Sequence, residues 1–564
     1  MIKTLEWNGY IKEPKWENRG YKLGGEPLSD LAEEMLYKLA SFYTDDKENM
    51  NMRQKYLYDK QSMKNAYSDI KYELTSNQKK IPFLNDEYWN LLKEMHNQIE
   101  IEKEQKSEFK KTHKELIKRE SEMRKLEYGF ATVNGESVAI NPQIELSGWF
   151  VGRGDNAVNM HWKYRVEDKD IEINWISDKK CPFDNGHIVS KSDIDSCATY
   201  KVRIGHNNEM SVIKTIRFSK CGEIGQNEEI HKFDVAKEVI ENWTKIEKYI
   251  EKAIKSDNKV TKQNGLISYL VFNLGIRIGG DSGARQNNVM GASTLTVDTI
   301  SFNGNEITLD FIGKDSVKDC RVFKVKDWLL EEFKNCTIGK KPKDKLFESA
   351  NASSVREFLD GFGIEDLSPK KARTAFASSI LAEEFRKMDW ENLTDKQFKF
   401  QCDKAQLECA KKLNHHTTKS SKQLKEIESK NKEKIKDAKT KLESKKKVLG
   451  DKITELELKI ENTDDKTKIK EYKSKIKEIK DKQTKLIQEF VDLKESLNFK
   501  TSLGDISLST SKVNYCDPRL YASVCVKANK DLSKLFTKSA LEKINWAKSV
   551  DGEFYMNYPC INNY

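Results

Sequence analysis

The sequence predicts a multidomain α+β protein, and three observations carry that expectation. A chain of 564 residues is too long to fold around one hydrophobic core. Between about residues 128 and 230 short alternating runs read as half-buried strands, whereas the stretches on either side have helical spacing. Residues 419–500 then become a Lys-, Glu- and Asp-dominated tract with apolar residues at every seventh position.

Composition narrows the class. Charged residues make up 34% and hydrophobic ones 37%, and no apolar run approaches the roughly 20 residues that a membrane helix needs. The opening Met-Ile-Lys-Thr-Leu-Glu-Trp is neither a signal peptide nor an Arg/Ser-rich transit peptide. The 10 cysteines are scattered with no Cys-x-x-Cys pair, which favours free thiols over disulfides or a zinc site. A formal charge of +10 permits a polyanionic partner without demanding one.

Taken in order, Leu31, Met35, Leu36 and Leu39 define the apolar face of an early helix, and residues 99–127 read as one long charged helix. Ile171–Trp175 and Ser211–Ile216 alternate as strands, with Gly152-Arg153-Gly154 in a loop among them. Residues 231–416 return to helices, interrupted by a hairpin from Thr294–Val297 to Ile307–Phe311 across Phe302-Asn303-Gly304-Asn305. In the tract that follows, Ile435, Leu442, Leu449 and Leu456 recur every seven residues, with Ile453 and Ile460 beside them. After a polar turn at 461–466, Tyr472, Ile479, Leu486 and Leu493 repeat the spacing, with Ile469, Ile476, Phe490 and Leu497 as the second row. Two heptad arms around a polar turn make an antiparallel coiled-coil hairpin. The expected divisions are 1–230, 231–416, 417–500 and 501–564.

The chemistry centres on Ser509-Thr510-Ser511-Lys512-Val513-Asn514-Tyr515-Cys516-Asp517-Pro518-Arg519. Alone, Tyr515 is a buried aromatic before a Pro-initiated helix. As a nucleophile it would need cations nearby, because a phenol titrates near ~10. Four upstream stretches offer them: Leu274-Gly275-Ile276-Arg277-Ile278-Gly279, Gly313-Lys314-Asp315, Pro369-Lys370-Lys371-Ala372-Arg373 and Leu413-Asn414-His415-His416. Each has a plain structural alternative as a helix cap, a surface hairpin lysine, an exposed basic helix face or a helix end. Adjacent histidines on one helix end are poor ligands for a single metal ion.

The ordered set, closed by the heptad hairpin and Ser-Lys-x-Asn-Tyr-x-Asp-Pro-Arg, resembles the eukaryotic-type DNA topoisomerase IB family. Glu127-Tyr128-Gly129-Phe130, Phe150-Val151-Gly152-Arg153-Gly154 and Lys543-Ile544-Asn545-Trp546-Ala547 extend the likeness through nearly the whole chain. The resemblance implies a DNA-clamping core with mixed N-terminal lobes at 1–230 and a mainly helical, tyrosine-recombinase-like catalytic domain at 231–416. It further implies a coiled-coil linker at 417–500 and a small helical C-terminal domain at 501–564. It implies Tyr515 as nucleophile, forming a 3′-phosphotyrosyl bond, with Arg277, Arg373 and His415 on the phosphate oxygens and Lys314 as general acid. Arg153, Lys163, Lys214, Asp315, Lys370 and Asn514 match its DNA contacts. The implied partner is duplex DNA, bound by a monomer with no cofactor, ATP or metal, in the nucleus or, for a large DNA virus, in a viral factory or virion. The absence of a P-loop pattern and of clustered carboxylates agrees.

There are departures. Gly280 stands where the family usually has Asn, and His416 is an alternative to His415. The family's long charged N-terminal tail is not present here. A tyrosine recombinase would share the Arg/Lys/Arg/Tyr chemistry, but Lys370 replaces the usual His and recombinases lack the hairpin insertion. A clamping scaffold without turnover is a further alternative, opposed by the functional residue types at all five catalytic positions.

Overall fold

A computed structural model describes residues 2–48, 50–151, 160–182, 187–192, 196–207, 210–219, 223–280, 289–314, 317–417 and 421–561. The fold is mixed α/β and comprises two compact units. The first is Met1–Ile230 with Gly280–Met290 and Phe311–Lys318, and the second holds His231–Gly279, Gly291–Asp310 and Asp319–Tyr564.

The first unit has two cores. One is helical and is built by α1 (Asp30–Ala40), α2 (Met52–Leu57), α3 (Lys60–Ile70) and α4 (Asp86–Thr112) with Trp149, Met160 and Trp162. In α1, Met35, Leu36 and Leu39 are buried and Leu31 packs against the same core, as the spacing predicts. The charged stretch expected as a single helix is instead two. Helix α4 stops at His113 and α5 (Lys114–Tyr128) starts there, because Thr112 Oγ1 turns back onto the Glu108 and Phe109 carbonyls and the His113 ring stacks on Phe109.

The second core lies under sheets. β1 (Leu5–Trp7), β4 (Phe130–Val133) and β5 (Glu136–Ala139) form one, while β2 (Lys22–Leu23) and β3 (Glu26–Pro27) make a small ribbon. The larger sheet runs β6 (Gly148–Phe150), β7 (His161–Lys163), β10 (Ser196–Ile204), β8 (Ile171–Asn174), β9 (His187–Val189), with β11 (Met210–Arg217) antiparallel to β10. Ile171, Ile173, Val202 and Ile216 point into its core. The two alternating runs singled out in the sequence are β8 and part of β11.

The second unit is largely helical: α6 (Glu223–Glu241, which begins in the first unit), α7 (Trp243–Ile254), α8 (Lys259–Leu274), α9 (Asp327–Asn335), α10 (Ala352–Asp360), α11 (Pro369–Arg386) and α12 (Asp395–Lys412). Ser368 caps α11 by accepting from the Lys371 N–H, and Pro369 occupies its first turn. Its residues from Lys371 to Ala382 are all buried, so this helix is enclosed on every side. The expected hairpin is shifted. Residues 292–294 and 297–299 form short 3-10 turns, and the first strand is β12 (Ile300–Asn303), paired with β13 (Glu306–Ile312) around Gly304-Asn305. Gly304 takes φ +58, which a two-residue turn with glycine first requires. A third strand, β14 (Lys318–Lys324), completes the sheet and was not foreseen.

Helices α13 (Ser421–Glu461) and α14 (Lys466–Ser502) follow. Asn431 Nδ2 bonds to Leu497 O and Thr501 Oγ1, and Gln483 Nε2 to Lys446 O, so the pair is antiparallel. Ile476 and Leu497 are buried between them. At their base, Ser507 N–H donates to His415 O and Thr417 N–H to Asp505 O. The chain closes with α15 (Leu508–Asn514), α16 (Pro518–Lys527), α17 (Lys538–Ile544) and α18 (Phe554–Asn557). The nine described cysteines are free. No described helix is long and apolar enough to cross a membrane.

Candidate active site

The buried guanidinium of Arg373, in the second turn of α11, gathers three segments of the second unit. Nε donates to Gly275 O (2.6 Å), Nη2 to Leu413 O (3.4 Å) and Nη1 to the hydroxyl of Tyr515 (2.9 Å). The guanidinium carbon also lies 4.7 Å from the centre of the Tyr515 ring. Burial pushes Arg373 down to about 10, with the charges of Arg277 and Arg321 acting in the same sense and Tyr515 opposing. It remains a cation at neutral pH.

Each segment has a local reason for its path. Helix α8 ends at Gly275, whose φ is +62 and whose N–H bonds Leu270 O. A Cβ there would meet Phe376 at 3.0 Å and Leu413 at 3.1 Å, so glycine is needed twice over. The next turn brings in Arg277, and its carbonyl accepts from Ala292 N–H while Ile278 O accepts from Ser293 N–H. Gly291 makes this approach possible, because a Cβ on it would lie 2.5 Å from Arg277 O. Gly280, by contrast, has open space around it.

Helix α12 ends in a Schellman turn: Asn414 takes φ +52, its N–H bonds Lys411 O, and the His415 N–H bonds Ala410 O. That turn sends the His415 ring inward, with its centre 5.2 Å from the Tyr515 ring. His415 is 3% exposed, and neither ring nitrogen has a partner among the described residues. Burial, helped by Arg373, Arg277 and Arg321, holds its pKa down to about 2, so the imidazole is neutral. His416 takes a different direction, with Nδ1 3.0 Å from Asp505 Oδ1.

Tyr515 caps the C-terminal end of α15 and is fixed at its backbone by Ser378, whose hydroxyl donates to Tyr515 O and accepts from Asp517 N–H. Beneath it Gln406 donates to Ser511 Oγ (2.6 Å) and accepts from the Tyr521 hydroxyl. Asp517 caps α16 and pairs with Arg519, which also holds Asp234 (2.6 Å). Lys512 turns away from the site. Its Nζ donates to Leu535 O and lies over the Tyr521 and Phe536 rings, and burial lowers its pKa.

Arg277, Arg373, His415 and Tyr515 are thus brought together in the second unit. Lys314 belongs to the first, exposed beyond β13. There it lines a cleft of about 960 Å³ with Lys38, Arg53, Lys163 and Lys214. Glu145 sits in the same cleft, 2.8 Å from Lys163 Nζ and 3.3 Å from Lys214 Nζ. Lys38 is already held by Glu13 (2.9 Å) and Glu34 (2.8 Å), and the remaining four cations against Glu145 suit a polyanion. Lys370 is exposed in the first turn of α11, and Asn514 is exposed with its amide on Thr510 O. Arg153 and Asp315 lie outside the described residues. Sequence reasoning missed Gly291, Ser378, Gln406 and Arg321; nothing in their local spacing marks them, since each acts on a distant segment. Among the described residues no group of three or more His, Cys, Asp or Glu side chains is placed to hold a metal ion.

A phenol held by an arginine, beside a second arginine and a neutral imidazole whose nitrogens are unpartnered among the described residues, can receive a phosphoryl group and support its non-bridging oxygens. The family follows from three matching models: the DNA binding fragment of eukaryotic DNA topoisomerase I over residues 2–213, its catalytic core over 222–449, and the C-terminal topoisomerase domain over 488–556. The chain belongs to the eukaryotic DNA topoisomerase I family. Its relatives include DNA topoisomerase 1 of Drosophila melanogaster, 24% identical over 98% of this chain and 54% of that protein. DNA topoisomerase 1 beta of Arabidopsis thaliana is 25% identical over 98% of this chain and 59% of its own length. Human DNA topoisomerase 1 is 26% identical over 87% and 64%. The chain therefore spans between about half and two thirds of the length of these relatives.

Proposed function

We propose that the chain relaxes supercoiled duplex DNA as a type IB topoisomerase. The observation that carries this reading is the Tyr515 hydroxyl, 2.9 Å from Arg373 Nη1 and beside a buried His415 with two unpartnered ring nitrogens among the described residues. The Tyr515 hydroxyl gives up its proton to water as its oxygen attacks the phosphorus of a DNA phosphodiester, and the bond to the 5′ oxygen breaks. The products are a 3′-phosphotyrosyl link and a 5′-hydroxyl, whose proton comes from Lys314 as general acid. Arg277, Arg373 and the N–H of neutral His415 hold the non-bridging oxygens as charge builds, each contributing roughly 10²–10³ in rate. The strand rotates and the 5′-hydroxyl then attacks the phosphotyrosine, restoring the backbone. One ester is exchanged for another, so the cycle consumes neither ATP nor metal.

In this reading Lys163 and Lys214, with Arg153, Asp315, Lys370 and Asn514, meet the DNA, mostly at phosphates, giving weak sequence preference and strong salt dependence. The working parts are N-terminal clamp lobes at 1–230, a recombinase-like catalytic domain at 231–416, a coiled-coil linker at 417–500 and a C-terminal domain carrying the nucleophile at 501–564. The protein acts as a monomer, in the nucleus or, if encoded by a large DNA virus, in a viral factory or virion.

The test is plasmid relaxation with EDTA present and ATP absent, followed by trapping the covalent complex and identifying the attached DNA end. A 3′ attachment to Tyr515 supports the reading. A 5′ attachment, a requirement for magnesium or ATP, or strand exchange between duplexes would overturn it.

A further inference from the structure

Two arginines hold the C-terminal end of α12. Arg373 reaches Leu413 O, and one residue earlier Arg321 Nη1 donates to Lys412 O at 2.5 Å. Arg321 comes from β14. Its Nε donates to Asp319 Oδ1 and its Nη2 lies 3.3 Å from Oδ2, so the carboxylate takes one edge of the guanidinium and the helix carbonyl takes another. The two side chains are 13% and 10% exposed.

The last carbonyls of a helix lack partners within it, and a cation there is favoured by the helix dipole. A planar fork holds two partners only when both are in register, which a flexible lysine does not enforce. The residues directly after the gripped carbonyl are Leu413, whose own carbonyl aims Arg373, then Asn414 in its left-handed turn, then His415. Arg321 is also close enough for its charge to act on both His415 and Arg373.

We propose that Arg321, oriented by Asp319, is a positioning residue of the phosphate site. By fixing the end of α12 it sets the His415 ring and the carbonyl that aims Arg373 before DNA arrives. This rests on the reaction proposed above and deepens it.

The test uses the full chain and a duplex whose 5′ strand is lost after cleavage, so that one round traps the covalent complex. If the wild type forms no such complex, the proposed reaction fails, whatever Arg321 does. Given an active wild type, Arg321→Ala is expected to slow cleavage at saturating DNA by about ten- to a hundredfold, the cost of a small misplacement, with the Kd for DNA within about threefold. Arg321→Lys keeps the charge without the fork and is expected to restore only part of the rate. In a His415→Ala background Arg321→Ala is expected to cost less than in the wild type, because one of the groups it positions is gone. A saturating rate within about twofold of wild type, or the same fold loss in both backgrounds, overturns the proposal. If the Ala variant does not fold, Arg321→Lys in both backgrounds decides by the same comparison.

Discussion

The site around Arg373 and the lysine-lined cleft of the first unit handle charge in opposite ways. Arg373 and His415 are buried, and the arginine already touches the hydroxyl it would serve. In the cleft, Lys163 and Lys214 are part-exposed and share a carboxylate, Glu145, that a phosphate could replace. Desolvated, preorganised donors gain strength from low dielectric and suit a transition state. Solvated lysines gain little individually, but release counterions when they meet a backbone. In the proposed reaction the first arrangement would serve rate and the second grip.

That division can be broken experimentally. Tyr515→Phe should abolish the covalent complex and plasmid relaxation, a loss of roughly 10⁴-fold or more, as expected when a nucleophile is removed; residual relaxation near wild type would dismiss Tyr515. Arg373→Ala should lower single-turnover cleavage at saturating DNA by roughly 10²–10³, leaving Kd within about threefold. Were affinity to collapse with the rate intact, the division would be wrong. Lys163→Ala with Lys214→Ala should do the reverse. The slope of log K against log salt should fall by roughly 2, measured by filter binding or anisotropy across a salt series, while the saturating rate barely moves.

The last effect concerns stability. His415 titrates at about 2 in the fold against 6.5 ordinarily. Below the ordinary value the unfolded chain takes up a proton that the folded chain refuses, so stability falls as pH drops from 6.5 toward the folded value. The slope from this group is about 1.4 kcal/mol per pH unit. Denaturant melts should show a shallower acid-side decline for His415→Gln; an unchanged slope would mean that the imidazole is not held neutral.

Much of the fold was legible because its signals are local. The period-two runs at Ile171 and Ser211 and the capped start of α11 at Ser368-Pro369 each sit within a few residues of what they determine. The break at His113 and the late start of β12 were not legible, because a side chain turning back onto its own helix and a pair of 3-10 turns leave no periodic trace. The site shows the same limit. Tyr515, Arg277, Arg373 and His415 could be named from the order of motifs. Their meeting depends on contacts such as Arg373 to Gly275 and to Tyr515, 98 and 142 residues apart. The need for Gly291 arises only from another backbone passing over it.

Ser378 lies on the same helix as Arg373 and holds the carbonyl of Tyr515 and the N–H of Asp517, the two peptide groups that flank Cys516. The tyrosine is therefore moored at its root and guided at its tip from one rigid element. When the phenol oxygen leaves the arginine to bond phosphorus in the proposed reaction, the root stays where it was. A severed 3′ end would then hang on a tether one side chain long, unable to stray from the pocket in which it was cut. Fidelity of rejoining would be set by the length of that leash, with no further clamp on the broken end required.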